Sequence, residues 1–135
     1  MRWILFIFWT GFIFYTMDVF KPSEVQWVGS VAQWFSSKGL PSYTPAKIFH
    51  WCVFSGWTFL LGGALEGAYW TPLSLKNLRI CICALFAFVA VPEGLQYFNP
   101  ARTPAILDVA INFVGGIGGL VFRSVVGRHR HISAK

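Results

Sequence analysis

A small set of polar side chains stands within otherwise apolar sequence, and their types could bind or transform a polar ligand. Buried aspartate and glutamate can exchange protons with a substrate, and histidine can act as a base. Lysine and arginine can hold a phosphate or carboxylate, arginine through a planar fork of donors. The residues concerned are Asp18, Lys47, His50, Glu93, Gln96, Arg102, Asp108 and Asn112.

The spacing of these residues places several of them on shared helix faces. Residues three or four positions apart are neighbours on a helix surface. This spacing is found in the pairs Lys47 with His50, Glu93 with Gln96, and Asp108 with Asn112. Each of three helices is therefore predicted to present a polar stripe near one end.

The composition indicates a membrane protein. Hydrophobic residues make up 56% of the 135 residues and charged residues only 12%, whereas a soluble domain has roughly 25% charged residues. About 20 apolar residues cross a bilayer, and four such runs are present. We predict an all-α, polytopic membrane protein forming a single domain over 1–135, with spans at about 3–20, 48–68, 78–98 and 105–126.

The stretch between the first two spans predicts an amphipathic interfacial helix at about 23–37. Ser23 and Gln26 have the spacing of a capping box. Apolar residues then recur at i, i+3, i+4 and i+7, with Trp27 and Trp34 beside them. Such helices lie in the plane of the membrane interface, so anchoring is the main expectation and a lid over an external cleft is the alternative.

The basic residues indicate the orientation. Cytoplasmic loops of membrane proteins are enriched in lysine and arginine. With the amino terminus inside, seven basic residues are cytoplasmic and four are external, so both termini are expected in the cytoplasm. The cytoplasmic set is Arg2, Lys76, Arg79, Arg123, Arg128, Arg130 and Lys135; the external set is Lys21, Lys38, Lys47 and Arg102. The net charge of +6 is accordingly interpreted as a topology signal and not as a nucleic-acid surface.

Alternation of four spans brings the polar stripes to one side of the membrane. The end of the first span, the start of the second, the end of the third and the start of the fourth share that side. An ionised carboxylate in the bilayer costs on the order of 2.5–3.5 kcal/mol, so such residues face a cavity or find partners. The predicted ligand-binding set is Lys47, His50, Glu93, Gln96, Arg102, Asp108 and Asn112.

Glycine pairs with small-xxx-small spacing predict close helix packing. Gly63 with Gly67 and Gly115 with Gly119 have this spacing, which lets helix backbones approach each other in lipid. Packing within one chain and homo-oligomer formation are both open. We expect no metal and no cofactor, because the cysteines lie in apolar runs and one histidine with two acids is an incomplete metal site.

The order of these residues resembles the VanZ-like family of small bacterial membrane proteins. The resemblance runs from about Lys47 to Gly119 and rests on Lys47, His50, Glu93-Gly94-Leu95-Gln96, Arg102, Asp108, Asn112 and the glycines that follow. It implies a helical bundle in a bacterial plasma membrane. The family is named for low-level resistance to the glycopeptide teicoplanin, so a link to glycopeptide tolerance is a further expectation of the resemblance.

Three functions fit the sequence. The first is binding of a lipid-linked or cell-envelope precursor at the external helix ends, in which Lys47 and Arg102 hold an anionic headgroup. The second is a membrane enzyme that uses Glu93, Asp108 and His50 for acid–base chemistry on such a headgroup. The third is an accessory membrane subunit whose polar residues only stabilise its fold. Proton-coupled transport is a weaker idea, because no inverted repeat is visible.

Overall fold

The computed structural model describes the backbone of residues 1–18, 26–96 and 106–133, and the side chains of 1–16, 29–90 and 106–127. This part of the chain contains five α-helices and no strand, so the all-α prediction is confirmed for it. The helices are α1 (Arg2–Asp18), α2 (Gln26–Ser37), α3 (Thr44–Glu66), α4 (Leu75–Gln96) and α5 (Ile106–Ser133).

Local sequence explains where the central helices begin and end. Proline is favoured in the first turn of a helix, where its missing N–H is not needed, and α3 has Pro45 there. The helix stops at Gly67, whose φ of 71° is the left-handed conformation that glycine adopts at little cost. Helix α4 begins after Ser74, whose hydroxyl accepts a hydrogen bond from the amide of Asn77 at 3.3 Å.

Two helices are long and apolar enough to cross a membrane, Thr44–Glu66 and Ile106–Gly127. The apolar part of α1 covers Arg2–Thr16 and is shorter than the roughly 20 residues that a span requires. Helix α4 has 22 residues, with Lys76 and Arg79 near its start. The described residues thus support two of the four predicted spans, and the four-span arrangement stays a prediction.

Contacts along the helices show their relative directions. Helices α3 and α5 run parallel, because the start of α3 at Lys47 meets the start of α5 at Asp108 and Ser55 further along meets Gly115. Helix α1 runs antiparallel to α3, since the indole of Trp9 donates to the carbonyl of Val53 at 3.0 Å and Ile13 lies beside His50. The C-terminal end of α1 therefore lies with the N-terminal ends of α3 and α5.

Aromatic and aliphatic side chains from four helices fill the core. The rings of Trp57 and Phe88 stack at 4.5 Å and join α3 to α4, and Phe14 of α1 meets the same Phe88 edge-on. Ile13 and Leu85 are completely buried beside them. Because α3 contacts all the other helices, it fixes the position of the polar residues at its own start.

Candidate ligand-binding site

An ion pair joins the first turns of α3 and α5. The ammonium of Lys47 donates to the Oδ1 carboxylate oxygen of Asp108, and each side chain keeps about 25% of its surface exposed. Asp108 lies in the first turn of α5, where a negative charge also interacts favourably with the helix dipole. The pair is close to electrically neutral and still accessible from outside the bundle.

A second polar pair lies one turn further into the bundle. The Nδ1 of His50 is 3.1 Å from the amide oxygen of Asn112, and Asn112 is almost fully buried. A buried amide is costly unless it is hydrogen-bonded, so this contact compensates for placing Asn112 in the interior. We call these four residues, Lys47, Asp108, His50 and Asn112, the polar end of the bundle.

Glycines of α5 allow the close approach that brings the two pairs together. A side chain at Gly115 or Gly119 would overlap the backbone carbonyl groups of Trp51 or Ser55 on α3. With glycine there, Ser55 donates to the carbonyl of Gly115 at 2.6 Å and Thr58 donates to that of Gly116 at 2.7 Å. Serine and threonine hydroxyls often join helices in this way in membranes.

The predicted packing pair in α3 is arranged differently from the prediction. A Cβ added at Gly63 would overlap the ring of Tyr69, which lies in the connection that follows the same helix. Gly67 is the C-cap that ends α3, and a Cβ added there would face the guanidinium of Arg2 at 3.7 Å. The i, i+4 spacing could not reveal this difference, because α3 ends between the two glycines.

The remaining predicted residues fall outside the described side chains. Asp18 is the last residue of α1, and Glu93 and Gln96 lie in the last turns of α4, where only the backbone is described. Arg102 lies outside the described residues altogether. The contribution of these residues to ligand binding stays a prediction.

The polar end can offer charge and hydrogen bonds to a ligand. An incoming phosphate or carboxylate could share the ammonium of Lys47 with Asp108, while a hydroxyl or amide could bond to the carboxylate. Among the described residues, no group of three histidine, cysteine or acidic side chains could hold a metal ion. The four residues of the polar end thus offer charge and hydrogen bonds.

Sequence reasoning missed the role of Arg123 at the opposite end. Its side chain is completely buried, and its guanidinium donates to the carbonyl oxygens of Ala68 and Tyr69 at 2.5 Å and of Thr71 at 3.0 Å. These carbonyls belong to the connection between α3 and α4. We call this arrangement the arginine clamp. Its sequence signal was an arginine placed inside the predicted fourth span, where a charge needs partners.

Comparisons with known proteins return no match. No protein-family model matches the chain, and neither a curated protein nor a solved structure matches it.

Proposed function

We propose that the chain is a four-span integral membrane protein of the bacterial plasma membrane that binds a lipid-linked or cell-envelope component at its polar end. The observation that carries the proposal is the Lys47–Asp108 pair, partly exposed at one end of an apolar bundle and backed by the buried pair of His50 and Asn112. Polar groups at such a place are expensive in a membrane and commonly mark binding sites.

The surface of the bundle supports the membrane location. Soluble proteins rarely expose large contiguous apolar patches. Here exposed side chains on the outer faces of the helices include Phe8 of α1, Phe86 of α4 and Val121 and Phe122 of α5, each more than half exposed. A lipid environment covers such a surface, and both termini are proposed to lie in the cytoplasm.

Helix α2 supports an anchoring role at the same side of the membrane. Trp34 of α2 is more than half exposed and Val31 about one third exposed, although α2 contacts α3. Tryptophan is enriched at headgroup depth. We therefore place α2 in the interface, next to the start of α3 where the polar end lies.

Titration of purified protein with lipids tests the binding proposal. Dioleoyl phosphatidylglycerol and a polyprenyl phosphate would be added to the full chain in mild detergent. We expect binding to weaken about tenfold in the double variant Lys47→Met/Asp108→Asn, because charge-assisted hydrogen bonds to a ligand contribute about 1.5–3 kcal/mol. Lys38→Met, an exposed lysine beyond the end of α2, serves as the control for general charge attraction and should bind as the wild type does.

The result also separates the three candidate functions. Unchanged affinity in the double variant would contradict binding at the polar end, and a loss of stability without any measurable binding would favour the accessory-subunit function. Conversion of the lipid, followed by mass spectrometry and abolished by Glu93→Gln, would favour the enzyme. We rank binding first because Asp108 and His50, two of the three acid–base candidates, pair with Lys47 and Asn112 respectively.

The resemblance to VanZ-like proteins supplies a cellular test. Expression of the wild-type chain in a sensitive bacterium is expected to raise the teicoplanin concentration that inhibits growth. The Lys47→Met/Asp108→Asn variant, expressed to the same membrane level, should not do so. Equal inhibition with and without the wild-type chain would remove glycopeptide tolerance from the proposal while leaving lipid binding to be judged by titration.

A further inference from the structure

A small crevice lies between α1 and α3, and His50 is part of its wall. It is lined by Ile13 and Thr16 of α1 and by Phe49, His50, Val53 and Phe54 of α3. Its interior has room for about one water-sized group. Its lining combines aromatic and aliphatic surface with two side chains that can form hydrogen bonds.

The Nδ1–H of His50 donates its hydrogen bond to Asn112 on α5. An amide oxygen can only accept a hydrogen bond, so the Nδ1 of His50 must carry the proton in its 3.1 Å contact with Asn112. In the neutral imidazole the other nitrogen, Nε2, then has a free lone pair. Since His50 lines the crevice, Nε2 is the acceptor that its ring still has for a ligand there.

The hydroxyl proton of Thr16 is also used in a hydrogen bond. Its hydroxyl donates to the carbonyl oxygen of Ile13 in the preceding turn at 3.0 Å. A hydroxyl has one proton and two lone pairs. The Thr16 hydroxyl can therefore only accept a further hydrogen bond. Both polar side chains of the crevice are thus acceptors, which a hydrogen-bond donor on the ligand would satisfy.

We infer that this crevice selects lipid headgroups that carry a hydrogen-bond donor, a primary ammonium or a hydroxyl, over headgroups that carry none. The inference rests on the proposed binding of a lipid at the polar end. Lys47 and His50 are neighbours at i, i+3 on α3, so a phosphate beside Lys47 would place its substituent near the crevice. The trimethylammonium of choline has no N–H and is larger than the one water-sized group for which the crevice has room.

Competition among lipids with matched acyl chains tests this selection. Dioleoyl phosphatidylethanolamine, phosphatidylglycerol and phosphatidylcholine would be offered to the purified full chain in detergent, and bound lipid would be measured by native mass spectrometry. We expect the wild type to retain the first two about fivefold more than phosphatidylcholine, which corresponds to one hydrogen bond of about 1 kcal/mol. The ratio of phosphatidylethanolamine to phosphatidylglycerol tells whether ammonium or hydroxyl is preferred.

Matched variants assign the preference to the crevice. Thr16→Val removes the hydroxyl with little change in shape and should reduce the preference, whereas Thr16→Ser keeps an acceptor and should preserve it. His50→Phe should also reduce the preference, with helicity and monodisperse elution as the check on folding. Preserved selectivity in both Thr16→Val and His50→Phe would overturn the inference.

Failure of donor selection can be distinguished from failure of lipid binding at the polar end. Equal retention of the three lipids, all weakened by Lys47→Met/Asp108→Asn, would overturn donor selection and leave lipid binding at the polar end intact. Binding of polyprenyl phosphate without binding of any of the three lipids would also overturn it. Absence of binding by every lipid would contradict both proposals.

Discussion

The polar end and the arginine clamp both hold α5 against α3 or the connection that follows it, but they use different chemical groups. At the polar end, side chains pair with side chains: Lys47 with Asp108 and His50 with Asn112. At the arginine clamp, one side chain, Arg123, pairs with the backbone carbonyls of the connection after α3. Both hold charge in an apolar fold, yet Lys47 and Asp108 each stay about 25% exposed whereas Arg123 is completely buried.

This difference separates a site that can exchange partners from one that cannot. A ligand can replace one side chain of an exposed pair, because the displaced side chain can rotate into solvent or bond to the ligand. The carbonyls held by Arg123 cannot rotate away without moving the chain between α3 and α4. We therefore propose recognition for the polar end and stability for the clamp, and substitutions at four places test this proposal from the largest expected effect to the smallest.

Replacement of Arg123 should have the largest effect on stability. Arg123→Met keeps an apolar side chain of similar length but leaves several carbonyls without their donor. We expect a loss of about 3–5 kcal/mol, because each carbonyl left without a hydrogen-bond donor costs about 1–3 kcal/mol. Thermal unfolding of the purified protein, followed by circular dichroism in detergent, measures the loss.

A conservative variant shows whether geometry or charge matters at the clamp. Arg123→Lys retains the charge but offers a compact ammonium in place of the planar fork that reaches the carbonyls of Ala68, Tyr69 and Thr71. It should lie between the wild type and Arg123→Met in stability. A wild-type melting temperature for both variants would show that the clamp does not stabilise the bundle.

Crowding of the interface between the two ends should have the next largest effect. Gly119→Ala would bring a methyl group into the carbonyl of Ser55 on α3, and overpacking of this kind costs about 1–3 kcal/mol. Gly11→Ala is the matched control, since Gly11 lies in a helix with open space around it. Alanine favours helix formation more than glycine does, so the control should be neutral or slightly more stable by the same thermal measurement.

The all-α class and the proximity of Lys47 to Asp108 could be predicted from the sequence, because both follow from the length and order of the apolar runs. Long apolar runs indicate helices, and alternation of direction puts the starts of the second and fourth runs on one side. Lys47 and Asp108 were therefore expected near each other. Their direct pairing, and that of His50 with Asn112, depends on the rotation of α3 against α5, which is set by the backbone contacts at Gly115 and Gly119.

The arginine clamp could not be predicted by the same reasoning. Counting basic residues for orientation treats each as a solvated charge, so Arg123 was grouped with the terminal arginines. The burial of Arg123 depends on the path of residues 68–71, which lie against α5 at Arg123 after Gly67 has ended α3. That path is a property of the connection and not of helix periodicity.

Loss of the cap at the start of α4 should have a smaller effect at the clamp end. Ser74→Ala removes the hydroxyl that accepts from the amide of Asn77, and loss of such a cap costs about 1 kcal/mol. The backbone amide of Ser74 still donates to the carboxylate of Glu66, so the connection retains one contact to α3. Ser37→Ala, at the end of α2, is the control in the same unfolding experiment, and an equal loss in both would contradict a specific role for the cap.

Reversal of the ion pair should have the smallest effect on stability and a clear effect on binding. In Lys47→Asp/Asp108→Lys the two charges exchange places, so an exposed pair can reform. Such pairs contribute only about 0–1 kcal/mol, and the melting temperature should therefore remain close to that of the wild type. Because the cation moves from α3 to α5, away from its neighbour His50 on α3, affinity for the lipid phosphate should fall. Retained affinity together with retained stability would contradict a binding site that depends on the ammonium of Lys47 lying on α3 beside His50.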